Sequence, residues 1–145
     1  MAVAVFDSRT VQGEVTFDDE RKGVRVRATF TKLSGLHGFH IHKAGDLRGE
    51  GCKLACDHFH KGPPSDHGGP PRSKGPRHTG DLGNVEQDMS YSFFLKDLSV
   101  EELWGRSVII HADKDDYGLG GEPDSLTTGH AGKRIACAII GRVSC

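Results

Sequence analysis

The chain has 145 residues, which is enough for one domain with a buried core. It contains 19 Lys and Arg residues against 20 Asp and Glu residues, giving a formal net charge of −1. Proteins that bind nucleic acid or membrane surfaces usually carry an excess of basic residues, so this balance argues against both partners. The longest apolar run, residues 135–140, is far too short to span a bilayer. We therefore expect a single domain covering residues 1–145.

The predicted elements are almost all strands. Residues 2–6 have neither the basic segment nor the cleavage site of a signal peptide, so we expect a first strand and a cytoplasmic protein. Residues 13–17 and 24–30 alternate apolar and polar side chains on either side of a charged turn, which predicts a hairpin. Further strands are predicted at residues 38–42, 80–85, 90–95, 107–112 and 135–143. The one predicted helical stretch, residues 99–103, begins with Ser99 as its N-cap. Eight short strands with little helix predict an all-β sandwich or barrel.

Two segments, residues 44–79 and 113–133, contain too much Gly and Pro to form strands. Loops of this length in a compact domain are usually either functional or disordered. The first segment contains the histidines at positions 58, 60, 67 and 78, out of nine in the whole chain. This concentration of potential ligands favours a functional loop.

Three other histidines lie on or at the end of predicted strands. Side chains two residues apart point to the same face of a strand, so His40 and His42 form a chelating pair with Ile41 packed behind them. His111 ends an apolar run that is typical of a buried strand. Three imidazoles on rigid strands suit copper, which prefers nitrogen ligands. The alternatives are that the pair is solvated on the surface and that His111 is a hydrogen-bonded core residue.

The loop histidines belong to a second set of candidate ligands. Three imidazoles and one carboxylate make up this set, namely His58, His67, His78 and Asp81. Three nitrogens and one oxygen in a closed tetrahedral shell are typical of a zinc site. Six histidines would then build two metal sites that share one ligand.

Five motifs follow one another along the chain. They are residues 35–42 (Gly-Leu-His-Gly-Phe-His-Ile-His), 67–70 (His-Gly-Gly-Pro), 78–84 (His-Thr-Gly-Asp-Leu-Gly-Asn), 115–118 (Asp-Asp-Tyr-Gly) and 128–137 (Thr-Gly-His-Ala-Gly-Lys-Arg-Ile-Ala-Cys). Together they resemble the copper/zinc superoxide dismutase family, nearly from end to end. The resemblance implies an eight-stranded Greek-key β-sandwich with bound copper and zinc. It also implies an enzyme that converts superoxide to O2 and hydrogen peroxide.

The resemblance implies a role for each candidate ligand. The copper ligands of the family are matched by His40, His42, His58 and His111, and its zinc ligands by His58, His67, His78 and Asp81. His58 would bridge the two metals, because an imidazole loses its second proton readily only when a cation lies on each nitrogen. Asp115 matches the aspartate that hydrogen-bonds a ligand of each metal and so orients the rings.

The implied catalytic residues are Arg134 and His58. Arg134 matches the guanidinium at the mouth of the family's copper channel, where a fixed positive charge would steer the superoxide anion. His58 would carry a proton in the reduced state. Intracellular members of the family are usually homodimers, and a copper chaperone is the implied route of copper loading.

Four cysteines allow three fully paired connectivities, and the residues alone do not choose among them. By resemblance, Cys52 and Cys137 form a disulfide that ties the metal loop to the last strand. Cys56 and Cys145 would remain free thiols, as is normal in the cytosol. Cys56 stands where the family commonly has glycine, two residues before His58, so a wrong disulfide or thiolate capture of metal is an alternative.

Other departures from the family concern the channel rim and the dimer. Thr127 stands where a lysine is customary, which predicts weaker steering of the substrate unless Lys114 and Lys133 replace its charge. Ala44 replaces a common aromatic residue and Arg142 lies in a region that is usually apolar, so we expect a weaker dimer. Trp104 would compensate, because aromatic side chains anchor interfaces well.

Two functions of other classes compete with a dismutase. One is the dismutase-like domain of a copper chaperone, and the other is a catalytically silent metal-binding homologue. The chain has no N-terminal Met-x-Cys-x-x-Cys copper motif, and it keeps all the metal ligands together with Arg134. These features favour the enzyme.

Overall fold

The computed structural model describes residues 1–143 and folds them into two antiparallel sheets. The strands of this part of the chain are β1 (Ala2–Asp7), β2 (Gln12–Glu20), β3 (Gly23–Lys32), β4 (His37–His42), β5 (Asp81–Val85), β6 (Ser90–Lys96), β7 (Ser107–His111), β8 (Arg134–Ile139) and β9 (Gly141–Arg142). Helical structure in these residues comprises α1 (Ser125–Thr128) and two 3-10 turns, Lys53–Ala55 and Val100–Leu103. The strand orders are β6-β3-β2-β1-β9 and β5-β4-β7-β8. The predicted all-β sandwich is confirmed.

The sheets enclose one apolar core because side chains alternate along the strands. In β3, the even-numbered side chains from Val24 to Phe30 are buried, and the odd-numbered ones between them are more exposed. Phe30 meets Phe39 of β4 edge to face, with ring centroids 5.7 Å apart, which joins the two sheets. Each fully buried Phe or Ile side chain contributes about 1.5–3 kcal/mol relative to its exposed state. The core is therefore a rigid support for the polar residues that β4 and β7 carry.

The structure differs from the prediction at the last strand, which is divided between the sheets. β8 pairs with β7, whereas β9 pairs with β1 through Ala2↔Arg142 and Val3↔Gly141. Between them, the backbone of Ile140 leaves both ladders, and its N–H donates to the Arg106 carbonyl. An apolar run in the sequence does not reveal the residue at which a strand changes sheet.

The two long loops are anchored to the sandwich. The predicted disulfide between Cys52 and Cys137 is confirmed, and it joins the first loop to β8 across a sequence separation of 85. Where that loop leaves β4, Ser107 Oγ donates to the Ala44 carbonyl at 2.7 Å. The second loop contains α1, which was not predicted because four residues are too few for a helical period to show.

The predicted helical stretch near residue 100 is the 3-10 turn Val100–Leu103. Ser99 is its N-cap, and Glu102 accepts a hydrogen bond from the Ser99 backbone N–H at 2.9 Å. Among residues 1–143, no helix has the length and apolarity needed to cross a membrane.

Candidate metal centre

Four buried imidazoles converge on the outer side of the β4–β7 pair. His40 and His42 alternate along β4 with the core residues Phe39 and Ile41, and His111 ends β7. His58 comes from the first long loop, which is aligned with β4 by a backbone bridge to His42. Each ring offers one nitrogen, and the four nitrogens lie within 4.8 Å of one another. These residues come from three separate segments of the chain, so the sandwich itself assembles the cluster.

The four rings present unpaired nitrogens to one another. The buried side-chain nitrogens without a hydrogen-bond partner include His40 Nδ1, His42 Nε2, His58 Nε2 and His111 Nε2. A buried polar atom left unpaired costs about 1–3 kcal/mol, so such atoms rarely collect at one point without a ligand. Four convergent nitrogen donors fit a copper ion, which favours imidazole ligands.

In two of the four rings, those of His42 and His111, the opposite nitrogen donates to a backbone carbonyl. His42 Nδ1 donates to the Cys56 carbonyl at 2.8 Å, and His111 Nδ1 donates to the Gly132 carbonyl at 3.2 Å. Because a carbonyl oxygen only accepts, the proton of each ring lies on Nδ1 and the lone pair lies on Nε2. These bonds fix both the orientation and the tautomer that a metal requires.

The second cluster surrounds one oxygen of Asp81. Asp81 Oδ1 lies 2.9 Å from His58 Nδ1, 2.9 Å from His67 Nδ1 and 3.4 Å from His78 Nδ1. Ligands about 2.0–2.1 Å from a tetrahedral zinc ion are about 3.3 Å from one another, so these separations fit such a shell. The other oxygen, Oδ2, is already used, since it accepts the backbone N–H groups of Gly68 at 3.0 Å and His78 at 2.7 Å.

His58 belongs to both clusters. Its Nε2 is the unpaired nitrogen that faces the strand imidazoles, while its Nδ1 faces Asp81 at 2.9 Å. His78 is oriented from outside the second cluster, because its Nε2 donates to the Ser65 carbonyl at 2.8 Å and its Nδ1 is left unpaired. One imidazole ring can therefore serve two metal ions, one at each nitrogen.

Asp115 links the two clusters from behind. One of its oxygens accepts from His40 Nε2 at 2.5 Å, and the other accepts from His67 Nε2 at 2.8 Å. Asn84 holds this aspartate in place, because Asn84 Oδ1 accepts the Asp115 N–H at 2.7 Å and Asn84 Nδ2 donates to the Asp115 carbonyl at 3.0 Å. Asp115 thus fixes one ring of each cluster. Asn84 was not singled out, although it closes the third motif.

Burial keeps the four imidazoles of the first cluster neutral. It lowers the pKa of His40, His42 and His58 below the ordinary histidine value, and it lowers the pKa of His111 to about 4. A neutral imidazole is the form that binds a metal. All four rings are accordingly ready to act as ligands near pH 7.

In the second cluster, hydrogen bonds favour the charged forms of Asp81 and His67, whereas burial favours the neutral rings of the first cluster. Burial acts to raise the pKa of Asp81, but hydrogen bonds from His58 and His67 hold it well below its ordinary range. For His67, burial acts to lower the pKa, but bonds to Asp115 and Asp81 raise it to about 9. A metal ion at His67 Nδ1 would replace the proton that Asp81 now faces, so binding there releases a proton.

A cavity of about 510 Å³ opens beside the first cluster. Its wall includes three of the cluster imidazoles, Thr127 and Arg134. Arg134 donates from Nη1 to the Cys52 carbonyl at 2.8 Å and from Nη2 to the Cys56 carbonyl at 2.6 Å. The positive charge is therefore held in one place at the cavity, next to the imidazoles.

The three remaining histidines are engaged elsewhere, and among them His60 Nδ1 accepts the Thr79 backbone N–H at 3.1 Å. His37 contacts the carbonyls of His111 and Ser34 at 2.8 and 2.6 Å, and exposed His130 lies 2.6 Å from Asp124. Cys56 is exposed and is the one free cysteine among residues 1–143, so it forms no disulfide with Cys137 there. The prediction for Cys145 lies outside the described residues.

Fold and clusters together define the class: a β-sandwich protein with two adjacent metal sites that share one imidazole. The family model for copper/zinc superoxide dismutase matches residues 11–140. The chain belongs to the copper/zinc superoxide dismutase family.

Individual relatives cover almost the whole chain. A Cu-Zn superoxide dismutase of Paramecium bursaria Chlorella virus 1 is 43% identical over 149 residues, covering 97% of this chain and 77% of that protein. The copper chaperone for superoxide dismutase of Rattus norvegicus is 43% identical over 148 residues, covering 97% of this chain and 53% of the chaperone. The crystal structure of the clock protein EA4 matches with a TM-score of 0.83 at 40% identity, covering 98% of this chain and 94% of that chain.

Proposed function

We propose that this protein is a superoxide dismutase that binds one copper and one zinc ion. The observation that carries the proposal is the set of four unpaired, buried ring nitrogens that converge beside the fixed guanidinium of Arg134. When bound, copper supplies the one-electron chemistry by which one superoxide is oxidised to O2 and a second is reduced to hydrogen peroxide, while zinc stays redox-inert. The protein residues hold the metals, guide the anion and manage protons.

The two ligand sets follow the nature of their donors. Copper would be held by His40, His42, His58 and His111, and zinc by His58, His67, His78 and Asp81. A set of nitrogens alone suits copper, and a tetrahedral set with one carboxylate suits zinc. Asp115 would act as a positioning residue, because it accepts a hydrogen bond from one ring of each set.

Arg134 and His58 would be the catalytic residues. Superoxide is a small anion with little shape to recognise, so a fixed positive charge is the main feature that can attract it. The charge of Arg134 lies close enough to His42 and His111 to contribute to their lowered pKa values. The Nε2 of His58 lies on the cavity side, where it can hold a proton when it is not bound to metal and pass it to the reduced substrate.

Metal analysis and superoxide consumption on one preparation test this function. We expect about one copper and one zinc per chain, with activity. The Arg134→Glu variant should keep its metals and lose most of its activity, because attraction of the anion becomes repulsion, and Arg134→Lys should lose less. The matched control is Arg9→Glu, which makes the same substitution at an exposed residue outside the cavity wall. An Arg134→Glu protein with full metal content and undiminished activity would refute the role of this arginine.

A copper-delivery function is the second candidate, because the rat chaperone is as similar to this chain as the viral dismutase is. The complete ligand sets and the position of Arg134 favour the enzyme. Copper- and zinc-loaded wild-type protein that does not consume superoxide but passes copper to an apo-dismutase would reverse this preference.

We also propose that the chain is one domain, acts as a homodimer in the cytoplasm and receives copper from a chaperone. One core cluster contains residues of both sheets, which supports a single domain.

Trp104 supports the dimer, because its side chain is 40% exposed and the Arg142 guanidinium lies 5.2 Å from the centre of its ring, which gives an amphipathic surface. The exposed thiol of Cys56 supports a reducing compartment. Sedimentation velocity tests the dimer, and a monomer at every concentration contradicts it.

A further inference from the structure

A second cavity, of about 760 Å³, lies between the first long loop and the end of β6. Its wall is formed by two loop segments, residues 60–61 and 71–79, and by residues 94–97. Small-molecule sites in proteins usually have volumes of about 300–1,000 Å³, so the size suits a compact organic ligand. None of the proposed metal ligands lines this cavity.

The charge around this cavity is positive and unbalanced. Lys61 is neutralised, because its Nζ lies 2.8 Å from Glu102 Oε1. Arg72, Arg77 and Lys96 also line the cavity, and within residues 1–143 none of these three forms an ion pair with a carboxylate. Asp97 is the one acidic residue of the wall. In a chain whose net charge is −1, three unpaired cations around one cavity are a local concentration of positive charge.

Arg77 gives this site a fixed element. Its Nε donates to the Gly69 carbonyl at 3.1 Å, and its Nη2 donates to the carbonyls of Thr79 and Asp81 at 3.2 and 2.8 Å. The guanidinium is therefore held in place by neutral backbone acceptors and forms no ion pair within the described part of the chain, while the nearby carboxylate of Asp81 favours its charged form. A held guanidinium binds oxyanions well because little side-chain entropy is lost on binding.

The wall also has an apolar part, to which Pro71, Phe94 and Leu95 contribute. Leu95 is buried, whereas Pro71 and Phe94 are partly exposed. An inorganic anion would leave this part of the wall in contact with water. A ligand with an apolar or aromatic body would cover it.

We propose that this cavity binds a small organic oxyanion, with its phosphate or sulfonate group among Arg72, Arg77 and Lys96 and its apolar body against Pro71 and Phe94. Guanidinium and ammonium groups bind tetrahedral oxyanions through charge-assisted hydrogen bonds, which are stronger than neutral ones. This site is separate from the metal cavity, although His60 borders both. The proposal does not depend on dismutase activity.

Calorimetric titration of the metal-loaded protein with phenyl phosphate tests the site, with inorganic phosphate as the comparison ligand. We expect saturable binding that is tighter for phenyl phosphate. The double variant Arg72→Gln/Lys96→Gln should weaken binding by roughly tenfold or more, because two charge-assisted contacts are lost. The matched control is Arg9→Gln/Lys32→Gln, which removes the same charge from exposed residues outside the cavity and should leave binding unchanged.

Three results would overturn the proposal. The first is the absence of saturable phenyl phosphate binding in the millimolar range. The second is equal affinity for phenyl phosphate and inorganic phosphate, because the apolar wall would then make no contribution. The third is binding that Arg134→Gln abolishes and Arg72→Gln/Lys96→Gln leaves intact, because the anion would then occupy the metal cavity.

Discussion

Cys56 has a backbone conformation that residues other than glycine rarely adopt, with φ 65° and ψ −150°. Its carbonyl accepts hydrogen bonds from both His42 Nδ1 and Arg134 Nη2. The two bonds hold the peptide in this strained conformation. In return, the Cys56 carbonyl orients the His42 ring and the Arg134 guanidinium.

Cys56→Gly should therefore stabilise the protein. The strain that is relieved, about 1–3 kcal/mol, exceeds the greater loss of backbone entropy for glycine, about 0.5–1 kcal/mol. We expect the free energy of unfolding, measured by urea denaturation of the disulfide-bonded apoprotein, to rise by about 1 kcal/mol. Cys56→Ser removes the thiol but keeps the strain, so it should stay close to wild type. A glycine variant that is no more stable than the serine variant would show that the conformation is not strained.

At the scale of elements, the second long loop reaches both clusters through one carboxylate. Asp115 is fully buried and is fixed by Asn84 at the end of β5. It accepts from His40 on β4 and from His67 in the first loop, so three elements meet at this side chain. Burial raises the pKa of Asp115, which makes its ionised form expensive to keep unless the histidines donate to it.

Asp115→Asn should weaken metal retention more than it weakens the fold. An amide oxygen can replace only one carboxylate oxygen, and its NH2 group would face a histidine N–H. We expect the affinity for zinc, measured by competition with a chelator, to fall roughly 10–100-fold. The exposed neighbour Asp113 provides the control Asp113→Asn, which should keep wild-type affinity. Equal zinc affinity in both variants would refute the positioning role of Asp115.

The disulfide is the covalent tie between the first loop and β8. Closing a loop with a sequence separation of 85 stabilises a protein by on the order of 4–5 kcal/mol in the chain-entropy model. Cys137→Ser should lose about this amount in denaturant unfolding and should release metal faster, because the loop that carries His58 is freed. Cys56→Ser serves as the control thiol substitution. Peptide mapping that pairs Cys56 with Cys137 in the oxidised wild type would contradict the assignment.

At the scale of the whole molecule, capture of a small anion depends on the local field, since the net charge of −1 gives little long-range attraction. Arg134 and Thr127 both line the metal cavity, and Thr127 is exposed at its edge. Because position 127 carries no cation, the positive charges of this wall are Arg134 and Lys43.

Thr127→Lys should accelerate superoxide consumption at low ionic strength, because it adds a further positive charge at the cavity. The gain should shrink with added salt, since the Debye length falls from about 10 Å at 0.1 M to about 3 Å at 1 M. The uncharged control Thr127→Gln should behave like the wild type at every salt concentration. A lysine variant with the rate and salt dependence of the glutamine variant would show that steering does not limit capture.

Much of this protein follows from local sequence pattern. Alternation in residues 24–30 predicted β3, and the spacing of His40 and His42 placed two imidazoles on one face of β4, because side-chain direction along a strand depends only on position. Ser99 was correctly identified as an N-cap for the same reason, since capping involves neighbouring residues. Comparison of motifs also proposed the residues of both clusters and the two cysteines of the disulfide.

Only the tertiary structure decided how these residues are oriented. The carbonyls of Cys56, Ser65 and Gly132 determine which nitrogen of His42, His78 and His111 is free. Every residue type has a backbone carbonyl, so the pattern of side chains in the sequence does not predict which carbonyl will accept these hydrogen bonds. The same holds for the change of sheet at Ile140, for the guanidinium of Arg134 on two loop carbonyls and for the cationic cavity beside β6. Each depends on contacts between segments far apart in the chain, and such contacts exist only once the core has brought those segments together.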